Sequence, residues 1–170
     1  MFKNKNSFRV AFVTAVIVFI VVHFVPIPFS VPDFRSATNN GVMLDMRPAF
    51  SPDEVYDRLE SYGESGRQNY FWRLLTVDII FPLSLWPFLH LLALRASRLR
   101  WLPFFASGFL VFDVIENVII ATLLATLPMR IDQLASVLPL VTITKRLCSV
   151  VALIVPLVMM GWKKVSSSRV

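Results

Sequence analysis

Charge is scarce in this chain. Asp, Glu, Lys and Arg make up 16% of its 170 residues, against about 25% in a soluble globular domain. With 56% hydrophobic residues and a mean hydropathy of +0.66, the composition excludes a fold covered by an ordinary solvated shell. There is one cysteine, Cys148, so no intrachain disulfide is possible and no redox compartment follows. His23 and His90 are the only histidines, and with a single cysteine they leave no metal-ligand spacing. No Gly-rich phosphate loop, nucleophile elbow or zincin pattern occurs. The sequence therefore implies no cofactor and no metal. It also carries no internal repeat, and no low-complexity tract beyond Ser166-Ser167-Ser168, so a single domain over 1–170 is expected.

What it has instead is long apolar runs. Four stand out, over about 10–29, 71–94, 101–127 and 134–162, each near or above the roughly 20 residues that cross a bilayer as a helix. The expected fold is an all-α membrane protein, a four-transmembrane-helix bundle. The first run follows Lys3, Lys5 and Arg9, as a secretory signal would, but His23-Phe24-Val25-Pro26-Ile27-Pro28 offers no small-x-small cleavage site, so a retained anchor is expected.

The net charge of +6 and pI near 10 do not imply nucleic acid, because the basic residues form no single stripe. They flank the apolar runs: Lys3, Lys5 and Arg9 before the first, Arg95, Arg98 and Arg100 between the second and third, Lys163, Lys164 and Arg169 after the fourth. Four crossings place all three groups on one side, which the positive-inside rule makes cytoplasmic. The expected address is the bacterial inner membrane, with both termini cytoplasmic and residues 30–70 outside. That loop mixes Arg35, Arg47 and Arg58 with Asp33, Asp45, Asp53, Glu54, Asp57, Glu60 and Glu64, a character compatible with export.

Within the loop, Ser51-Pro52-Asp53-Glu54 reads as a capping box with proline at the first helical position. Val55, Leu59 and Tyr62 follow at helical spacing and Gly63 supplies a stop. This predicts an external amphipathic helix between helices one and two, lying on the outer bilayer surface or forming a lid on the bundle. The stretch from Pro28 to Gly41 reads as ordinary loop. In helix two, Pro82 and Pro87 leave the carbonyls of Asp78 and Leu83 without donors, so a kink near the carboxylate is expected. Trp72, Trp101 and Trp162 suit interfacial belts and Trp86 suits packing. His90 and His23 are expected as core or interface histidines.

The third run holds the anomaly. Phe-Asp-Val-Ile-Glu-Asn over 112–117 places Asp113, Glu116 and Asn117 on one helical face near the run's midpoint. In the fourth run Thr142, Lys145, Arg146 and Ser149 form one stripe at spacings of zero, three, four and seven. At 1.5 Å per residue, Lys145 lies about 17 Å inside Leu134 and Glu116 about as far inside Leu127. Asp78, about 10 Å inside Phe71, reaches the same region. An unpaired charge at bilayer depth costs about 2.5–3.5 kcal/mol or more. The expected arrangement turns Asp78, Asp113 and Glu116 toward Lys145 and Arg146, with Asn117, Thr142 and Ser149 completing hydrogen bonds. Three acids against two bases leave one negative charge over, which predicts one protonated carboxylate. The competing geometry starts helix four at Arg146, leaving an apolar run of about 24 Å with Lys145 and Arg146 snorkelling at the outer interface.

Several of these pieces also resemble a family of small, largely uncharacterised bacterial four-helix integral membrane proteins. They are Ser51-Pro52-Asp53-Glu54, Tyr62-Gly63 with Gly66-Arg67 and Tyr70, Asp78 with Phe81-Pro82, Asp113 with Glu116-Asn117, and Lys145. The resemblance covers about residues 44–146 and implies a four-helix fold without an activity. In such relatives an aromatic follows the lysine, so Arg146 is a departure. Three functional readings are open. The polar cluster is structural, in a scaffold or in a partner subunit that binds a membrane-protein partner or forms a homo-oligomer. Alternatively it handles protons or ions in a small transporter. In the third reading its carboxylates do acid–base work on a lipid-like substrate. No second charged pair continues toward the cytoplasm, which weakens a through-membrane relay.

Overall fold

A computed structural model describes residues 5–96 and 99–167, with side chains up to Trp162. Of the flanking basic residues, Lys3, Arg98 and Arg169 lie outside the described residues, and only the backbone of Lys163 and Lys164 is described. Among the described residues the regular structure is helical, with no strand. The helices are α1 (Lys5–Phe24), α2 (Val31–Ala37), α3 (Pro52–Ser61), α4 (Gly63–Leu75), α5 (Val77–Ala96), α6 (Leu102–Thr126) and α7 (Asp132–Ser167).

Four helical stretches, Lys5–Phe24, Gly63–Ala96, Leu102–Thr126 and Asp132–Trp162, are long and apolar enough to cross a membrane. Their outward surfaces are apolar. Phe12, Ile17 and Ile20 on α1, Leu83 on α5, Val111 and Val118 on α6, and Leu147 and Leu157 on α7 are all exposed, while Arg73, Asp113 and Glu116 are buried.

The long helices run antiparallel in sequence order. Phe8 and Phe12 pack against Phe88, and Phe19 against Phe81, as tilted ring pairs that zip α1 to α5. Trp86 donates to Ser107 across α5 and α6 at 3.3 Å. The most extensive packing is between α6 and α7. A Cβ at Gly108 would stand 3.1 Å from Cys148 Sγ, so glycine there permits the approach.

Helix ends follow local chemistry. α1 stops at Phe24, short of the expected Phe29, because Pro26 and Pro28 lack the amides that would continue it. α3 begins as its sequence predicts: Ser51 Oγ accepts from the Glu54 amide at 3.2 Å, and Glu54 Oε2 accepts from the Phe50 amide at 3.0 Å. Gly63, at φ +64°, supplies the left-handed residue after Tyr62.

The same device builds a helix where ordinary loop is expected. Ser30 caps α2 by accepting from the Asp33 amide at 3.3 Å, and Asp33 reaches back to the Phe29 amide at 2.7 Å. The cue is in the sequence: Ser30-Val31-Pro32-Asp33 repeats the pattern with aspartate in place of glutamate at the third position.

Helix two of the sequence reading is also longer and broken elsewhere. α4 and α5 are separated only at Thr76, at φ −126° and ψ −84°, upstream of both prolines, which lie inside α5.

These short helices form a cap around the distal halves of α6 and α7. Its core is an aromatic triangle of Phe34, Tyr62 and Tyr70, with ring centroids 5.2–5.7 Å apart. Val55, Tyr56 and Leu59 of α3 turn into the same core, which continues through Ile119, Ile120, Leu123 and Leu124 of α6 and Leu138 of α7. α3 is therefore a lid on the bundle. A second, smaller core of Leu89, Ala106, Phe109 and Ala152 fills the opposite end.

Candidate functional site

The polar residues meet where the cap rests on α5, α6 and α7. Asp113 and Glu116 share one face of α6, and Lys145 of α7 faces both. Its Nζ lies 3.2 Å from Asp113 Oδ1 and also donates to Glu116 Oε2. Thr142, one turn away, donates to the other Glu116 oxygen. Glu116 has no exposed surface and Asp113 is 7% exposed. Burial of that kind is tolerable because each carboxylate faces an ammonium and a further donor. Asn117 is buried as well, but its amide is 3.5 Å from Asp113 Oδ2, at the outer limit of a hydrogen bond.

Asp78 takes a different partner from the one expected. Its Oδ1 accepts from Arg73 Nη2 at 2.7 Å, not from Lys145 or Arg146. Residues five apart on an unbroken helix stand about 140° apart around its axis; the break at Thr76 turns the two together. The second arm of Arg73, Nη1, donates to the Phe29 carbonyl at 2.8 Å. Phe29 has φ +64°, a left-handed conformation that costs an aromatic residue about 1–3 kcal/mol. Bonds from Asp33 to its amide and from Arg73 to its carbonyl hold it there.

Arg146 and Ser149 leave the cluster. Arg146 is exposed and donates to the carbonyls of Asp45 and Met46 at 2.7 and 2.6 Å, fastening the loop ahead of α3 onto α7. It lies one residue, about 100°, around the helix from Lys145, so the two cannot share a direction. Ser149 donates to the Arg146 carbonyl of its own helix at 2.9 Å, a local bond that satisfies the hydroxyl without the cluster.

The structure adds residues the sequence reading did not place in the site. Asp45 accepts from the Tyr70 hydroxyl at 2.8 Å. Tyr62 donates to the Val42 carbonyl at 2.7 Å, and burial raises its pKa well above the usual phenol value. Asn69 donates to Asp33 at 2.6 Å. His23 bonds the Phe19 carbonyl through Nδ1 at 2.9 Å. Arg73 had one available signal, its position five residues before Asp78 in a run otherwise rich in apolar residues.

His23, Asp45, Arg73, Asp78, Asp113, Asn117 and Lys145 together line a cavity of about 180 Å³, with Phe81, Pro82 and Phe109 among its apolar walls. No family model, no curated protein and no solved structure matches the chain.

The charge balance around the cavity is uneven. Asp45, Asp78 and Asp113 line it with Arg73, Lys145 and His23, and Glu116, outside the lining, accepts from Lys145. No group of three or more His, Cys, Asp or Glu side chains able to hold a metal occurs among the described residues.

Proposed function

We propose that this chain is an integral membrane protein of the bacterial inner membrane, with both termini cytoplasmic, and that its buried charges fasten an outward-facing helical cap onto a four-helix membrane bundle. It would serve as a small scaffold or partner subunit whose cap is the working face.

The observation that carries this reading is where the polar bonds lead. Arg73 bridges Phe29 to Asp78, Arg146 holds Asp45 and Met46, and Tyr70 holds Asp45. The bonds to Phe29, Asp45 and Met46 tie the segment between α1 and α3 to α4 and α7, and the Arg73–Asp78 pair ties α4 to α5. Helix length supports the membrane placement. α5 alone, with 20 residues, is about 30 Å long, one hydrocarbon thickness, so α4 and the cap project beyond it. Asp78, in the first turn of α5, then lies in the outer part of the bilayer and not at its midplane. Lys5, Arg9, Arg95 and Arg100 are at the opposite end, consistent with a cytoplasmic face.

Single cysteines test the topology in a Cys148→Ser background. A membrane-impermeant thiol reagent added to intact cells is expected to label Glu60→Cys in the cap and to spare Arg100→Cys. The reverse pattern, or labelling of both, rejects the orientation.

A further inference from the structure

The polar cavity is short of hydrogen-bond partners. Arg73 is 2% exposed and its Nε has no partner among the described residues, nor does Asp78 Oδ2. Both residues line the cavity. Nη1 of Arg73 donates to the Phe29 carbonyl and Nη2 to Asp78 Oδ1, so the guanidinium is fixed in orientation with Nε left over. A buried donor or acceptor without a partner is costly. Nε needs an acceptor and Oδ2 a donor.

The charges favour a cation. Asp45, Asp78 and Asp113 stand against Arg73 and Lys145 around the cavity, and Lys145 is shared with Glu116. Asp113 Oδ2 accepts from Asn117 at 3.5 Å, a weak contact that leaves capacity for a further donor. The three aspartates come from the loop ahead of α3, from α5 and from α6, and among the described residues no three acidic, histidine or cysteine side chains converge to hold a metal ion. The negative charge is therefore spread along the walls. A proton on one carboxylate would ease the imbalance but would give Arg73 no acceptor.

At about 180 Å³ the cavity matches about six waters at roughly 30 Å³ each, well under an ordinary drug-sized site. It admits an organic ion of a few heavy atoms. Met46, 36% exposed, is the exposed member of its wall, so access runs past the loop ahead of α3. We propose that the cavity binds a short amino alcohol as its cation, the primary ammonium donating to Asp78 and Asp113 and the hydroxyl oxygen accepting from Arg73 Nε. Such an ion meets both unpartnered atoms and offsets the excess negative charge. An alkylamine has no acceptor for Arg73, and a quaternary ammonium has no N–H for Asp78. An amino acid is net neutral and adds a carboxylate.

Ethanolamine is the probe, titrated calorimetrically into the full chain in micelles at about pH 8, where an ordinary histidine is neutral. It is expected to bind at least tenfold tighter than ethylamine, choline or glycine. Asp113→Asn, in which Lys145 keeps Glu116, should weaken it at least tenfold in a folded protein. In heteronuclear NMR the Arg73 Nε–H signal, assigned by its loss in Arg73→Lys, should shift with ethanolamine and hold with ethylamine. No saturable binding of ethanolamine, ethylamine binding as tightly, an Asp113→Asn variant that binds as wild type, or an unmoved Nε–H signal overturns the proposal. Binding in micelles does not depend on the orientation that cysteine labelling tests, so such a result counts against the site alone.

Discussion

Arg73 Nη2 lies 2.7 Å from Asp78 Oδ1 across the break at Thr76 that separates α4 from α5. One side of this pair belongs to the cap and the other to a long apolar helix. The pair is thus a joint between two parts of the fold, and the bond from Arg73 to Phe29 extends it to the end of the α1–α2 connection.

Arg73→Gln leaves Asp78 buried beside a neutral partner and is expected to destabilise the protein by about 3–5 kcal/mol. The cap should loosen first. Trypsin cleavage after Arg58 and Arg67 in micelles is expected to accelerate, while sites beyond α5 stay protected. Arg73→Lys should recover only part of the loss, since a single ammonium cannot reproduce the forked geometry that serves Phe29 and Asp78 together.

Lys145 and Arg146 are adjacent in sequence and should differ sharply under the same substitution. Lys145→Met strips the ammonium from Asp113 and Glu116 and is expected to cost several kcal/mol, to the point of poor membrane accumulation. Arg146→Met removes two exposed bonds to backbone carbonyls and should cost about 1 kcal/mol. Reversible unfolding in detergent mixtures measures both, and equal losses would contradict the separation of their roles.

Gly66 marks the closest approach of α4 to the α2 terminus. A Cβ there would stand 2.4 Å from Thr38 Cγ2. Gly66→Ala is therefore expected to destabilise the cap by about 1–3 kcal/mol. Adding Thr38→Ser removes the clashing methyl while keeping the hydroxyl, which donates to the Phe34 carbonyl at 2.8 Å and accepts from the Gly41 amide at 3.0 Å. The double variant should regain most of the loss.

The sequence carries much of this arrangement and hides part of it. Helical period places Asp113, Glu116 and Asn117 on one face, and equal depth brings Lys145 opposite them, because both features depend on position along single helices. The capping box at Ser51 and the stop at Gly63 are equally local. What the sequence conceals depends on a break or a fold-back. Arg73 meets Asp78 only because the helix is interrupted at Thr76, a residue with no turn signature. Asp45 and His23 reach the cavity through loop paths that no periodicity describes. Arg146 is misplaced by stripe counting because neighbours on a helix share a broad face yet point about 100° apart. The depth of the cluster also reads differently once the cap packs on one face of the outer halves of α6 and α7, whose other faces stay exposed and apolar.

Tyr62 gives a pH dependence. Burial raises its folded pKa, whereas in the unfolded chain the phenol titrates near 10. Above that pH the unfolded state releases a proton that the folded state retains, so stability falls as pH rises. Tyr62→Phe should lose about 1 kcal/mol at pH 8, through the lost bond to Val42, and show a shallower decline between pH 10 and 11. An unchanged alkaline slope would show that the hydroxyl is not held as described.

The most direct measurement is a double-mutant cycle on Arg73→Gln and Asp78→Asn in the full chain, read by reversible unfolding in detergent mixtures. The account predicts that each single change is strongly destabilising and that the double variant is more stable than their sum by at least about 1 kcal/mol, the signature of two side chains in contact. Strict additivity would mean that cap and bundle are not joined through this pair and would contradict the account.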